Sequence, residues 1–185
     1  IVTPTIVCAG SQASLAVGGG QTYTWTAPAP NSYTFTGASP LVSPQVSSTY
    51  TVAASDGTCI NTTTVYLATN PIPTIAVSVS PSSVICRGQS ITVSATGGVN
   101  YTWTSTSGTV NTSSFTDAPN GPISYAVVAD NSFSCTASNN QIVLVNPTPT
   151  INVAVTKTLV CTGGPSTLTA SGANTYTWDS GAQTA

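Results

Sequence analysis

Cys86-Arg87-Gly88-Gln89-Ser90-Ile91-Thr92-Val93-Ser94-Ala95-Thr96-Gly97-Gly98-Val99-Asn100-Tyr101-Thr102-Trp103 is the stretch that decides the fold, because its frame recurs three times in the chain. Cys8, Cys86 and Cys161 each stand seventeen residues before a tryptophan, and each tryptophan closes the same tripeptide, Tyr23-Thr24-Trp25, Tyr101-Thr102-Trp103 and Tyr176-Thr177-Trp178. Three copies at one spacing mark an internal repeat, and a repeat fixes the architecture before any single element is assigned. Within the stretch, Ile91, Val93 and Ala95 alternate with Thr92, Ser94 and Thr96. That is the period-two pattern of a strand with one buried face.

Working outward, the same order of signals recurs. A second aromatic strand follows, Thr49-Tyr50-Thr51-Val52 or Ser124-Tyr125-Ala126-Val127, and then a second cysteine, Cys59 or Cys135. Each unit ends in a proline junction, Asn70-Pro71-Ile72-Pro73-Thr74-Ile75 or Asn146-Pro147-Thr148-Pro149-Thr150-Ile151, and the two junctions lie 76 residues apart. β-Branched Thr, Val and Ile dominate, Gly, Pro, Asn and Ser punctuate, and no helical period appears. The predicted fold is therefore all-β: tandem sandwich repeats of about 76 residues and about seven strands each. The expected division is 1–72 for repeat 1, lacking its first strand, 73–148 for repeat 2 and 149–185 for an incomplete repeat 3. Tyr-Thr-Val and Tyr-Thr-Trp place the aromatics on inward faces, so Trp25, Trp103, Trp178, Tyr50 and Tyr125 are the expected core.

Five cysteines occur in a chain with no histidine and no CxxC pair, which favours disulfides over zinc and implies an oxidising compartment. The repeat predicts intradomain bridges, Cys8 with Cys59 and Cys86 with Cys135. Each would close a loop of roughly 50 residues and contribute roughly 3–4 kcal/mol. Cys161 is expected to be unpaired, its counterpart lying beyond residue 185.

Charge narrows the functions. The 185 residues hold two basic and four acidic side chains, 3% of the chain, so solubility rests on Thr, Ser, Asn and Gln. Two basic residues, Arg87 and Lys157, cannot neutralise a phosphate backbone, which excludes nucleic acid as a partner. The weak net charge of −2 offers little self-repulsion and favours association end to end or side by side. No apolar stretch approaches the length of a membrane span, and no signal peptide opens the sequence. Catalysis lacks its parts: there is no His or Glu, and the four Asp are scattered one per turn or strand end. One or two Asp per repeat is also thin for calcium, and no metal or cofactor is expected.

The string running from Cys86-Arg87-Gly88-Gln89-Ser90 through Tyr101-Thr102-Trp103 and Tyr125-Ala126-Val127 to Asn146-Pro147-Thr148-Pro149 resembles the immunoglobulin-like, or PKD-like, repeats of very large Bacteroidota surface proteins. In that family the repeats form stalks of adhesins, including gliding-motility adhesins, exported by the type IX system. The resemblance implies a secreted, elongated, cell-surface polymer with no catalytic residues. The expected function is thus a structural or adhesive extracellular stalk or filament. The alternative is a polysaccharide-binding module using exposed aromatics such as Tyr33 and Phe35.

Overall fold

The computed structural model describes residues 2–29, 33–179 and 183–184. Every regular element in it is a strand. In the first repeat these are β1 (Val2–Thr3), β2 (Ile6–Cys8), β3 (Ala13–Leu15), β4 (Thr22–Thr26), β5 (Thr34–Thr36), β6 (Leu41–Val42), β7 (Ser48–Ser55) and β8 (Ile60–Asn70). The second repeat gives β9 (Ala76–Ser80), β10 (Val84–Cys86), β11 (Ile91–Thr96), β12 (Asn100–Ser105), β13 (Gly108–Val110), β14 (Ser114–Asp117), β15 (Ile123–Asp130) and β16 (Thr136–Asn146). Beyond it lie β17 (Asn152–Val155), β18 (Leu168–Ser171), β19 (Tyr176–Thr177) and β20 (Gln183–Thr184).

Repeats 1 and 2 have one topology. A three-stranded sheet, β1-β3-β6 or β9-β11-β14, faces a five-stranded sheet, β2-β8-β7-β4-β5 or β10-β16-β15-β12-β13. The chain starts in the small sheet, crosses at Pro4 or Pro81, and joins the large sheet as a short strand parallel to the last one, with Cys8 opposite Asn70 and Cys86 opposite Asn146. All other ladders are antiparallel. Two sheets with these connections are an immunoglobulin-like sandwich.

Alternation decides which face is inside. In β15, Ile123, Tyr125, Val127 and Ala129 are buried while Ser124, Ala126 and Val128 are exposed, and β7 repeats the pattern with Ser48, Tyr50 and Val52. The two cores are separate clusters, Trp25, Tyr50, Leu15 and Leu67 anchoring one, and Trp103, Tyr125, Ile91, Val93 and Val143 the other. Phe115 meets both Trp103 and Tyr125 edge-on, each at 5.5 Å, the geometry that ring quadrupoles favour.

Two expectations are corrected here. The first strand of repeat 1 is short rather than missing: Val2 pairs with Leu15 and Thr3 with Ser14, the register that Val79 and Ser80 keep with Val93 and Thr92 in repeat 2. Trp178 is not a core residue like Trp25 and Trp103. Repeat 3 consists of two unlinked ladders, β17 with β18 and β19 with β20, and Trp178 is half-buried because no opposing sheet of the kind that covers Trp103 packs on it among the described residues.

Candidate functional site at the repeat junction

The chain leaves repeat 1 through Pro71-Ile72-Pro73. Each proline fixes φ near −65° and removes a donor, so this link is extended and stiff. It passes directly beneath the β15–β16 hairpin of repeat 2. There Asn131 Oδ1 accepts from the Phe133 and Cys135 amides, at 3.0 and 3.1 Å, which shapes the turn, while its Nδ2 donates to the Pro71 carbonyl at 2.8 Å. A second amide, Asn139 Nδ2, donates to the Ile75 carbonyl at 2.7 Å and seats the start of the next first strand.

Cys8 and Cys135 form a disulfide across this junction, with Cα atoms 5.6 Å apart and a sequence separation of 127. Cys135 is fully buried against the Asn70 carbonyl. The expected bridges Cys8–Cys59 and Cys86–Cys135 are therefore corrected, and the reason is length. Cys8 lies opposite Asn70 at the exit pole, whereas Cys59 sits in the β7–β8 hairpin at the entry pole. The eleven-residue strand between them spans about 33 Å, far beyond the roughly 7 Å that a disulfide tolerates between Cα atoms. The bridge instead joins the exit pole of one repeat to the entry pole of the next. Closing so long a loop is worth about 5 kcal/mol in the chain-entropy picture.

The remaining cysteines, Cys59, Cys86 and Cys161, are exposed thiols. Cys86 ends β10 as Cys8 ends β2, and Cys59 follows the β7–β8 turn as Cys135 follows the β15–β16 turn. Around Cys59 the hairpin is organised by Asp56, whose Oδ1 accepts from the Cys59 and Thr58 amides at 2.8 and 2.9 Å. Those two donors hold the Asp56 carboxyl below the ordinary carboxylate range.

Sequence reasoning missed two devices. The tyrosine of Tyr-Thr-Trp clamps the turn before it: Tyr23 Oη bonds both the amide and the carbonyl of Gly20, Tyr101 Oη those of Gly98, and Tyr176 Oη those of Ala173. The motif is thus partly a turn lock, legible only in that a polar-tipped aromatic recurs three residues after the same turn position. The tryptophans also reach across, Trp25 Nε1 to the Gly37 carbonyl at 2.9 Å and Trp103 Nε1 to that of Thr112 at 3.0 Å. Tyr125 Oη donates to Asp117 Oδ2 at 2.7 Å, and burial, then this hydrogen bond and the carboxylate charge, push its ionisation up. Tyr50 has no such acid; burial first, and Tyr33 second, raise it.

The aromatic pair considered for sugar stacking is divided. Phe35 lies half-buried between Trp25, at 6.2 Å and nearly parallel, and Tyr50, at 6.3 Å and edge-on, so its faces are occupied. Tyr33 is exposed but leans on Phe35. Among the described residues no group of three Cys or Asp side chains gathers where a metal would bind.

No family model and no curated protein sequence matches the chain. Solved structures do. Murine CEACAM1b aligns over 80% of this chain and 98% of its own, at 15% identity and a TM-score of 0.36. The three N-terminal domains of the highly immunogenic outer capsid protein of bacteriophage RB49 align over 85% and 60%, at 15% identity and 0.35. A Ca2+-stabilized adhesin with which an Antarctic bacterium binds ice aligns over 79% and 47%, at 16% identity and 0.36. Similarity at this level carries nothing about function, ligand or partner.

Proposed function

We propose that this chain is a rigid segment of an extracellular adhesive stalk or filament, in which the first immunoglobulin-like repeat is covalently stapled to the second. The observation that carries the reading is the Cys8–Cys135 bridge. Two sandwiches joined only by Pro71-Ile72-Pro73 keep some freedom to swing, but a second covalent link beside the first, together with the Asn131–Pro71 hydrogen bond, removes the hinge. A disulfide of this kind belongs to an oxidising compartment, which supports a secreted or cell-surface address. The resemblance to Bacteroidota type IX-secreted repeats supports the same address, and association with further copies follows from a surface with almost no charge. Non-enzymatic work fits the absence of histidine and glutamate from the sequence.

Small-angle scattering tests the reading. The oxidised protein is expected to give one narrow distribution of interdomain distances, and Cys135→Ser a broad one with both sandwiches still folded. Identical distributions would overturn the stalk reading. A glycan array then bears on the module alternative: retention that Tyr33→Ala abolishes would establish it.

A further inference from the structure

Tyr-Thr-Trp gives structural work to two of its three residues and none to the third. Tyr23 and Tyr101 clamp a turn, and Trp25 and Trp103 fill the cores. Thr24 and Thr102, between them, stand exposed on the outer face of the large sheet. Neither hydroxyl has a hydrogen-bond partner among the described residues. Each instead lines a basin, of about 400 Å3 at Thr24 and about 430 Å3 at Thr102, volumes that fall in the range of small-ligand pockets.

The two basins occupy the same place in the two repeats and are built in the same way. One wall is the strand that carries the tripeptide, with its turn locked by the tyrosine. The other is the segment where the chain crosses from the large sheet to the small one, at 36–38 in repeat 1 and 111–113 in repeat 2. That segment is tied on both sides. Trp25 Nε1 donates to the Gly37 carbonyl at 2.9 Å and Trp103 Nε1 to that of Thr112 at 3.0 Å, while the next carbonyls, Ala38 and Ser113, accept from the Val17 and Ala95 amides at 3.0 and 2.8 Å. Bonds to buried tryptophans thus hold both basins open and preformed.

Their chemistry also matches. Asn100, Thr102, Asn111 and Ser113 bring amides and hydroxyls to the basin of repeat 2, with the exposed Val99 at its rim. Gln21, Thr22, Thr24 and Thr36 do the same in repeat 1. Asn100 is fixed in place, since its Nδ2 donates to Asp130 Oδ1 at 2.8 Å, and its own Oδ1 is left to accept. No charged side chain lines either basin among the described residues.

From this duplicated geometry we infer that the two basins are binding sites for a neutral polysaccharide, one in each repeat. Amides and hydroxyls on a preformed surface both donate to and accept from sugar hydroxyls, and no fixed charge is present to favour an ionic ligand. A polymer presents the same hydroxyls many times over, so two weak sites on one chain gain by avidity. The site is separate from the Tyr33 surface: Tyr33 stands at the other end of β5, where its carbonyl accepts from Ala27, and does not line the basin.

This inference goes beyond the stalk reading and does not depend on it. Its test is native affinity electrophoresis of the oxidised 185-residue chain through gels containing laminarin, dextran, xylan, galactomannan or soluble starch, with alginate as the charged counterpart. The expected result is retardation by at least one neutral glycan and none by alginate. Thr24→Val and Thr102→Val keep shape and β-branching, and each should weaken that retardation about fivefold, the worth of one hydrogen bond. The double variant should lose it, with near-ultraviolet circular dichroism unchanged, and Tyr33→Ala should have no effect. Asn111→Ala, which lies outside any strand, reads the repeat 2 basin without touching the sheet and should weaken retardation likewise. Passage unretarded through every neutral gel, equal retardation by alginate, a double variant that binds as well as the parent, or loss with Tyr33→Ala overturns the inference. The scattering comparison with Cys135→Ser is made without glycan, so the stalk reading is decided separately.

Discussion

Repeats 2 and 3 spell the same tripeptide and put it to different uses. Trp103 is sealed between two sheets, with Phe115 against its ring and its indole nitrogen bonded to the Thr112 carbonyl, whereas Trp178 is half-buried on a fragment of one ladder. Yet the tyrosine clamp two residues earlier is intact in both, Tyr176 holding Ala173 as Tyr101 holds Gly98. The difference separates two kinds of information in one motif. The clamp is local and forms wherever the turn forms, but burial is a property of the opposing sheet, which the motif does not carry.

The sharpest way to break that comparison is to truncate both tryptophans. Trp103→Ala removes a side chain that is 1% exposed and should cost about 3–5 kcal/mol of repeat 2, while Trp178→Ala should cost under about 1 kcal/mol. Chemical denaturation followed by near-ultraviolet circular dichroism reads both, and equal losses would show that repeat 3 has a closed core after all.

A backbone comparison comes next in size. Gly97→Ala and Gly19→Ala share the penalty of a left-handed φ, about 1–2 kcal/mol, but only the first drives a Cβ into the Thr74 carbonyl. Gly97→Ala should therefore lower the melting temperature of its repeat distinctly more than Gly19→Ala lowers that of repeat 1. Parity would mean that the first strand of repeat 2 yields at no cost.

The smallest expected effect is on pH dependence. Between about pH 5 and 9 stability should be flat, because no histidine titrates there. At acid pH, Asp56 has a folded pKa below its ordinary 3.8, so its contribution is present above that value and lost as pH falls through the lower one. At alkaline pH, Tyr125 and Tyr50 have folded values above the ordinary 10.0, so their contribution is intact below pH 10 and declines as pH rises beyond it. Tyr125→Phe should remove part of the alkaline loss in repeat 2, at a neutral-pH cost of about 1–2 kcal/mol for the hydrogen bond left open at Asp117. Thermal melts across that range check both arms.

The sequence by itself determined the repeat, its length, its all-β character and the inward faces of Trp25, Trp103, Tyr50 and Tyr125, because period and side-chain alternation are local properties written along the chain. It also carried Asn131 and the Tyr23, Tyr101 and Tyr176 clamps, although nothing local said what they would hold. The cysteine pairing was out of reach. Matching Cys8 with Cys59 followed from the repeat, which kept each bridge inside one unit, but the two stand at opposite poles of one sandwich, and which pole meets which is settled only when two sandwiches stack. The same holds for Gly19, Gly97 and Gly172: three glycines in one sequence context, two covered by a carbonyl and one facing open space. Tertiary structure decided the disulfide, the burial of each tryptophan and the covering of Gly97 and Gly172, because each depends on a surface brought from well away along the chain.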